Sequence, residues 1–169
     1  MGRIIKPLSE MGVSIKGANE KPPLMITKSE YHSINYKNRI PSAQVKSAVL
    51  FAGLGASGIT KFSEPFLSRN HTEIMLENVG ANIKTNKNEI SISSNSQKLA
   101  PLNITVPSDP STAAFFAGAV AIIPKSNLII NNILTNPTRF GFFTSLKQMG
   151  LELDLLSEKS EAGELVSDI

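Results

Sequence analysis

Cysteine is absent from this 169-residue chain, and so is tryptophan. Without cysteine there is no disulfide, no thiolate metal site and no Cys nucleophile, and the composition fits a reducing, cytoplasmic setting. Histidine is nearly absent too: His32 and His71 are too few for a His-based metal site. No apolar run approaches the ~20 residues that span a bilayer. Residues 1–7 lack the apolar stretch of a signal peptide, and no Ser or Thr at position 6 follows Gly2 to indicate myristoylation. No G-x-S-x-G, H-E-x-x-H or G-x-x-x-x-G-K-[ST] occurs. The carboxylates are spread along the chain and form no dense cluster for a hard cation. No nucleophile–base pair stands out.

What is present is an ordinary supply of Ile, Leu and Val on a length that suits one domain with its own core. Charge is uneven. Residues 1–106 hold thirteen Lys and Arg against seven Asp and Glu, whereas residues 107–169 hold four against seven. A basic first part points to anionic partners. The basic residues are scattered and lack the interleaved aromatics that single-stranded nucleic acid favours, so small phosphorylated ligands fit better than DNA or RNA.

The pattern along the chain predicts an α/β (α+β) protein built on a repeat. A helix over 3–11, with Ile4, Ile5, Leu8 and Met11 on one face, ends at Gly12. Pro7 suits it only if the helix starts close by, with Pro7 in the first turn. Strands follow at 13–15 and 24–27, and 28–41 has some strand character around Tyr31, Ile34 and Tyr36. A helix runs from Ser42 to about Leu54, a strand over 59–62, and a loop over 64–71. A helix from Thr72 stops at Gly80. Strands at 81–85 and 89–93 flank a hairpin signal at Asn86-Lys87-Asn88, and another strand spans 102–106. The order then restarts: a capped start at 107–112, a helix to Ile123, a strand at 127–132, a loop at 136–139, a helix over 140–149 and a strand at 151–155. Gly12, Gly80 and Gly150 close three similar segments, 68 and 70 residues apart. Phe51-Ala52-Gly53 and Phe116-Ala117-Gly118 lie 65 apart. The unit is strand, helix, strand, helix, strand, strand. One whole unit and parts of two others are expected, as in a piece of a longer protein.

The stretch from Pro41 to Gly53 organises the rest. Pro41 keeps Ile40 extended, Ser42 can cap, and Val45, Ala48, Val49 and Ala52 make a stripe for burial. Ser42, Ala43 and Gln44 leave the first turn small and polar. Such a terminus is either a capped core helix or a seat for phosphate or carboxylate. Arg69 and Arg139 precede later helices and have the fork geometry for phosphate. Arg69 could instead pair with Glu64 or Glu73, Arg139 could support its loop, His71 could cap or pack, and Lys46 reads as solvated. Gly53-Leu54-Gly55-Ala56-Ser57-Gly58 has dinucleotide-loop spacing, but it ends a helix instead of opening one after a strand.

Four ordered motifs carry a resemblance: Ser42-Ala43-Gln44-Val45-Lys46-Ser47-Ala48, Glu64-Pro65-Phe66-Leu67-Ser68-Arg69-Asn70-His71-Thr72-Glu73, Pro107-Ser108-Asp109-Pro110-Ser111-Thr112-Ala113-Ala114-Phe115 and Asn136-Pro137-Thr138-Arg139. In order and spacing they resemble the enolpyruvylshikimate-phosphate synthases, in the bacterial branch with Ala at position 43. The resemblance implies two similar domains of βαβαββ units with helix N-termini facing the cleft. The domain boundary would fall near Pro107, giving 1–106 and 107–169. It implies transfer of an enolpyruvyl group from phosphoenolpyruvate to the 5-hydroxyl of shikimate 3-phosphate, on the route to chorismate and the aromatic amino acids. It also implies a cytoplasmic, monomeric enzyme with no cofactor, no metal, and neither nucleic acid nor membrane as partner. Ser42, Ala43, Gln44 and Arg69 would bind substrate, and the catalytic residues would lie outside this stretch, leaving it inactive alone. Two other readings are weighed against this one: a UDP-N-acetylglucosamine enolpyruvyl transferase, whose matching segments lack Ser-Ala-Gln-Val-Lys-Ser, and a non-enzymatic module that binds a phosphorylated ligand.

Overall fold

A computed structural model describes residues 1–94 and 98–169. They divide into two compact units, Met1–Pro101 and Leu102–Ile169.

The first unit opens with helix α1 (Gly2–Glu10) and the antiparallel hairpin β1 (Ser14–Gly17) and β2 (Leu24–Thr27). Pro7 lies inside α1, beyond its first turn, contrary to the sequence expectation. It is buried there and gives up one backbone bond, while its own carbonyl still accepts from Met11 N–H at 3.0 Å. Then comes a complete βαβαββ run: β3 (Asn35–Lys37), α2 (Ala43–Gly55), β4 (Ile59–Ser63), α3 (His71–Asn78), β5 (Ile83–Asn86) and β6 (Glu89–Ser93). The strands form one sheet in the order β3-β4-β6-β5. β3 and β4 are parallel because α2 crosses between them, and the other pairs are antiparallel. β4 alternates, burying Thr60 and Phe62, and β6 buries Ile90 and Ile92. Phe62, Ile90 and Ile92 meet Val45, Val49, Leu50 and Leu76 in the core. Tyr36, opposite Phe62 in the ladder, stacks on it at 6.1 Å. Burying each large apolar side chain stabilises the unit by about 1.5–3 kcal/mol.

The buried stripe of α2 is Val45, Lys46, Val49, Leu50 and Gly53; Ala48 and Ala52 are only half-buried. The stripe is rotated from the one expected because Lys46 joins it. Gly53 allows the close approach of helix to sheet. A Cβ there would lie 2.7 Å from Ile92 Cγ2 and 3.0 Å from Thr60 Cβ. Gly53→Ala therefore destabilises the unit by about 1–2 kcal/mol, overpacking outweighing the better helix propensity of alanine. A urea midpoint at or above that of the parent chain would refute this.

The second unit repeats the run. Ser108 makes a single parallel bridge to Ile133. It is followed by α4 (Pro110–Ile122), β7 (Ile133–Leu134), α5 (Gly141–Gln148), β8 (Leu156–Glu161) and β9 (Glu164–Asp168). The sheet order is β7-β9-β8, the counterpart of β4-β6-β5. Ala113, Ala117, Ile133, Phe143 and Leu146 form its core. α4 is apolar on all sides and leaves Phe115, Phe116 and Ile122 exposed.

Three expected strands are absent. Residues 102–106 build no ladder; Thr105 N–H donates to the Glu161 carboxylate at 3.0 Å instead. Residues 127–132 are not a strand either. Ile130 exchanges backbone bonds with Ile169, but a turn at Asn131 and Asn132, with Asn132 at φ 50°, delays pairing to Ile133. Residues 151–155 pair with nothing regular, and the last hairpin begins at Leu156. Its type I′-like turn has Ala162 and Gly163 both at positive φ.

The three glycine stops are alike in three dimensions. At Gly12, Gly80 and Gly150, φ is +96°, +82° and +101°. In each case the Gly N–H and the next N–H bond back to the last helical turn: Gly12 to Ser9 and Val13 to Leu8, Gly80 to Glu77 and Ala81 to Leu76, Gly150 to Lys147 and Leu151 to Leu146. This double closure requires the left-handed conformation that glycine adopts without penalty.

Candidate functional site

The N-terminus of α2 is built by two residues from different places in the chain. Ser42 is the cap, its backbone extended and its Oγ accepting from Val45 N–H at 3.5 Å. The N–H of Ser42 itself donates to Glu64 Oε2 at 3.3 Å. In a capping box that carboxylate comes from the third helical position. Here Val45 holds that position, and Glu64 supplies the carboxylate from the end of β4. The N–H groups of Ala43 and Gln44 have no intrahelical acceptor by helix geometry. Gln44 is exposed and Ala43 half-buried.

Glu64 also holds the loop that leads to α3. Its Oε1 accepts from Ser68 N–H at 2.7 Å, from the Ser68 hydroxyl at 2.8 Å and from Lys46 Nζ at 3.2 Å. Arg69 follows directly and is exposed, making no ion pair among the described residues. The alternative of an Arg69 pair with Glu64 or Glu73 is not what forms, because both carboxylates turn to Lys46.

Lys46 is the correction to the sequence reading. It is not solvated: its side chain is 0% exposed. Nζ lies 3.2 Å from Glu64, 2.7 Å from Glu73 and 3.2 Å from the Ser68 carbonyl. A buried ammonium needs this many partners, since desolvation is costly unless charge and hydrogen bonds replace the water. The sequence held a signal for it. Lys46, Val49, Leu50 and Gly53 fall at i, i+3, i+4 and i+7, a competing stripe with two carboxylates downstream at 64 and 73. Glu73 sits in the first turn of α3, where the helix dipole favours a negative charge. His71 is the first residue of that helix, after Asn70 as N-cap, and is half-buried. Ser47 and Thr72 hydroxyls, 2.6 Å apart, tie α2 to α3.

Burial raises the Glu64 pKa, but the two Ser68 donors and the Lys46 charge outweigh it and hold the carboxyl below its ordinary 4.5. A depressed folded pKa gives stability that is present above the unfolded value and lost as pH falls through the folded one. Unit 1 therefore loses stability as pH drops below about 4.5. Tyrosine fluorescence follows it, since Tyr31 and Tyr36 are the only tyrosines and both lie in that unit. Glu64→Gln flattens the dependence; an unchanged acid midpoint in that variant would count against the assignment.

The second unit has its own arrangement. Asp109 caps α4, with Pro110 at the first helical position. Its Oδ2 accepts from Thr112 N–H at 3.2 Å and the Thr112 hydroxyl at 3.1 Å, and Oδ1 pairs with Arg139. Arg139 also donates to the Ser111 hydroxyl at 2.8 Å. Partial burial pushes the Asp109 pKa up, and the Ser111, Thr112 and Arg139 contacts bring it below its ordinary value. Arg139 thus joins the α4 start to the loop before α5, as a support. Among the described residues no three His, Asp or Glu side chains converge to hold a metal, and no helix is long and apolar enough to cross a membrane.

Set against known proteins, residues 1–167 match the family model of EPSP synthase (3-phosphoshikimate 1-carboxyvinyltransferase). A 3-phosphoshikimate 1-carboxyvinyltransferase of Persephonella marina is 46% identical over 173 residues, covering 100% of this chain and 40% of the relative. One from Campylobacter concisus is 50% identical over 155 residues, covering 90% of this chain and 36% of the relative. The solved EPSP synthase of Acinetobacter baumannii superposes with TM-score 0.88 at 43% identity, over 99% of this chain and 38% of that one. The chain thus spans about 40% of the length of the curated relatives it matches. By sequence along its whole length and by its repeated βαβαββ fold, the chain belongs to the EPSP synthase family.

Proposed function

We propose that this chain is the part of a 3-phosphoshikimate 1-carboxyvinyltransferase that holds the phosphate of shikimate 3-phosphate. The observation that carries the reading is the strapped α2 start: the N–H groups of Ala43 and Gln44 open the helix without an intrahelical acceptor, and Glu64 ties Ser42 to the loop of Arg69. A helix N-terminus with a cap hydroxyl and a nearby guanidinium is the donor set a phosphate dianion takes. Ser42, Ala43, Gln44 and Arg69 bind; Gln44 also lies on the phosphoenolpyruvate side. None of the four is assigned proton transfer. The reaction joins the enolpyruvyl carbon of phosphoenolpyruvate to the 5-hydroxyl of shikimate 3-phosphate and releases phosphate, with no cofactor. The same reading gives a cytoplasmic, monomeric enzyme acting on the route to chorismate. The UDP-N-acetylglucosamine alternative is not favoured, since full-length matches go to the shikimate enzyme.

Alone, the chain releases no phosphate from the two substrates, because donors must close on them from several sides. Exchanged for its counterpart in the Persephonella marina relative, it gives a chimera that releases phosphate only when both substrates are present. A chimera that is soluble, melts cooperatively and turns over neither substrate would overturn the assignment.

A further inference from the structure

We propose that Glu64 is the positioning residue of the phosphate site, an inference that rests on the reading of Ser42–Gln44 and Arg69 given above. The binding groups come from two pieces of chain. Ser42, Ala43 and Gln44 start α2, and Arg69 ends the loop before α3. The Glu64 carboxylate is bonded to both pieces: Oε2 to Ser42 N–H at 3.3 Å, Oε1 to Ser68 N–H at 2.7 Å and to the Ser68 hydroxyl at 2.8 Å. It touches none of the four proposed contacts to ligand except the backbone of Ser42, from behind.

Glu64 is itself anchored. Its N–H donates to Asn88 O at 3.1 Å, and Asn88 Nδ2 donates to the Pro65 carbonyl at 2.8 Å, so the start of the loop is seated on the β5–β6 turn. The side chain is 0% exposed, which leaves it few alternative rotamers. A carboxylate behind an anion site would ordinarily repel the anion. Lys46 Nζ, 3.2 Å away and shared with Glu73 at 2.7 Å, offsets part of that charge from inside the core, and the Ser42 and Ser68 donors disperse more of it, so Glu64 straps the two pieces together with its repulsion of the ligand reduced. Donors held in this way meet a phosphate with their geometry already set, so binding does not have to order them.

The test is an NMR titration of the chain with shikimate 3-phosphate, following the amides of Ala43 and Gln44. Glu64→Gln keeps the volume, but either orientation of the amide satisfies one strap and breaks the other. Glu64→Asp keeps the charge that Lys46 needs, yet is too short to span both pieces, and it decides the matter if the Gln variant does not fold. The expected result is a dissociation constant raised about tenfold or more in both variants at full saturation of the folded protein, since the loosened donors must be ordered on binding. The ligand-free amide signals of Ser42 and Ser68 are displaced as well. A purely structural role would lower the folded fraction and leave the affinity of that fraction unchanged. That outcome overturns the inference and leaves the phosphate reading standing. A parent chain whose Ala43 and Gln44 amides ignore the ligand overturns the phosphate reading, and this inference with it.

Discussion

Lys46→Met costs the first unit about 3–5 kcal/mol, more than any other single substitution outside the apolar core. The reason is what stays behind. The methionine side chain is about the right length and shape, so the buried stripe that Lys46 shares with Val49 and Leu50 keeps its volume. The Glu64 and Glu73 carboxylates, however, remain buried with their shared cation gone. Small domains are stable by only about 5–15 kcal/mol, so the loss takes a large share of what unit 1 has. The two carboxylates are not equivalent. Glu64 retains three donors from Ser42 and Ser68, while the contact of Glu73 is the ion pair itself. Lys46→Met combined with Glu73→Met therefore recovers at least half of the loss, because removing both partners of a buried pair is far cheaper than removing one. Urea denaturation followed by tyrosine fluorescence measures both, and the coupling between them is read from the double-mutant cycle. If Lys46→Met shifts stability by less than about 1 kcal/mol, or if the double variant is no better than the single, Lys46 is not what pays for these carboxylates.

The same network shows where sequence reasoning reaches and where it stops. Gly12, Gly80 and Gly150 were legible because a helix stop is a local demand: a left-handed residue right after the last turn. Ser42 and Asp109 were legible as starts for the same reason, each cap bonding three residues ahead. Ser42, Ala43 and Gln44, the proposed binding residues, lie at that legible helix start. Lys46 did not, because its partners lie 18 and 27 positions away, and a Lys in an otherwise mixed helix carries no mark of who will meet it. Strands failed for a related reason. The apolar Leu128-Ile129-Ile130 and the alternating Leu151-Glu152-Leu153-Asp154-Leu155 fit strand patterns, but a strand exists only where a neighbour takes its hydrogen bonds. Conversely β8, Leu-Ser-Glu-Lys-Ser-Glu, is exposed on both faces and has no apolar alternation to read. In α4 the ends were clear and the buried face was not, since Ala113 to Ile123 is apolar all round.

Arg69→Ala and Arg139→Ala, two changes that look alike in sequence, give opposite results. Arg69 is exposed and free of ion pairs among the described residues, so its removal leaves stability within about 0.5 kcal/mol. It is a ligand contact in the proposed site, and a charge-assisted bond to phosphate is worth about 1.5–3 kcal/mol, so affinity for shikimate 3-phosphate falls about 10- to 100-fold. Arg139 is mostly covered, at 17% side-chain exposure, and its guanidinium is spent on Asp109 and Ser111. Its removal frees the α4 cap and the loop before α5. That costs about 1 kcal/mol in the second unit, discounted because Asp109 stays half in water, and it leaves phosphate binding untouched. Amide exchange across α4 and a ligand titration at Ala43 and Gln44, run on both variants, separate the two roles. A loss of α4 protection in Arg69→Ala, or a loss of affinity in Arg139→Ala, would reverse the assignment. The physical distinction rests on where each guanidinium is already engaged: Arg139 is mostly covered, with Nη2 held by Asp109 and Ser111, whereas Arg69 is left in solvent beside a helix start, where a ligand can reach it.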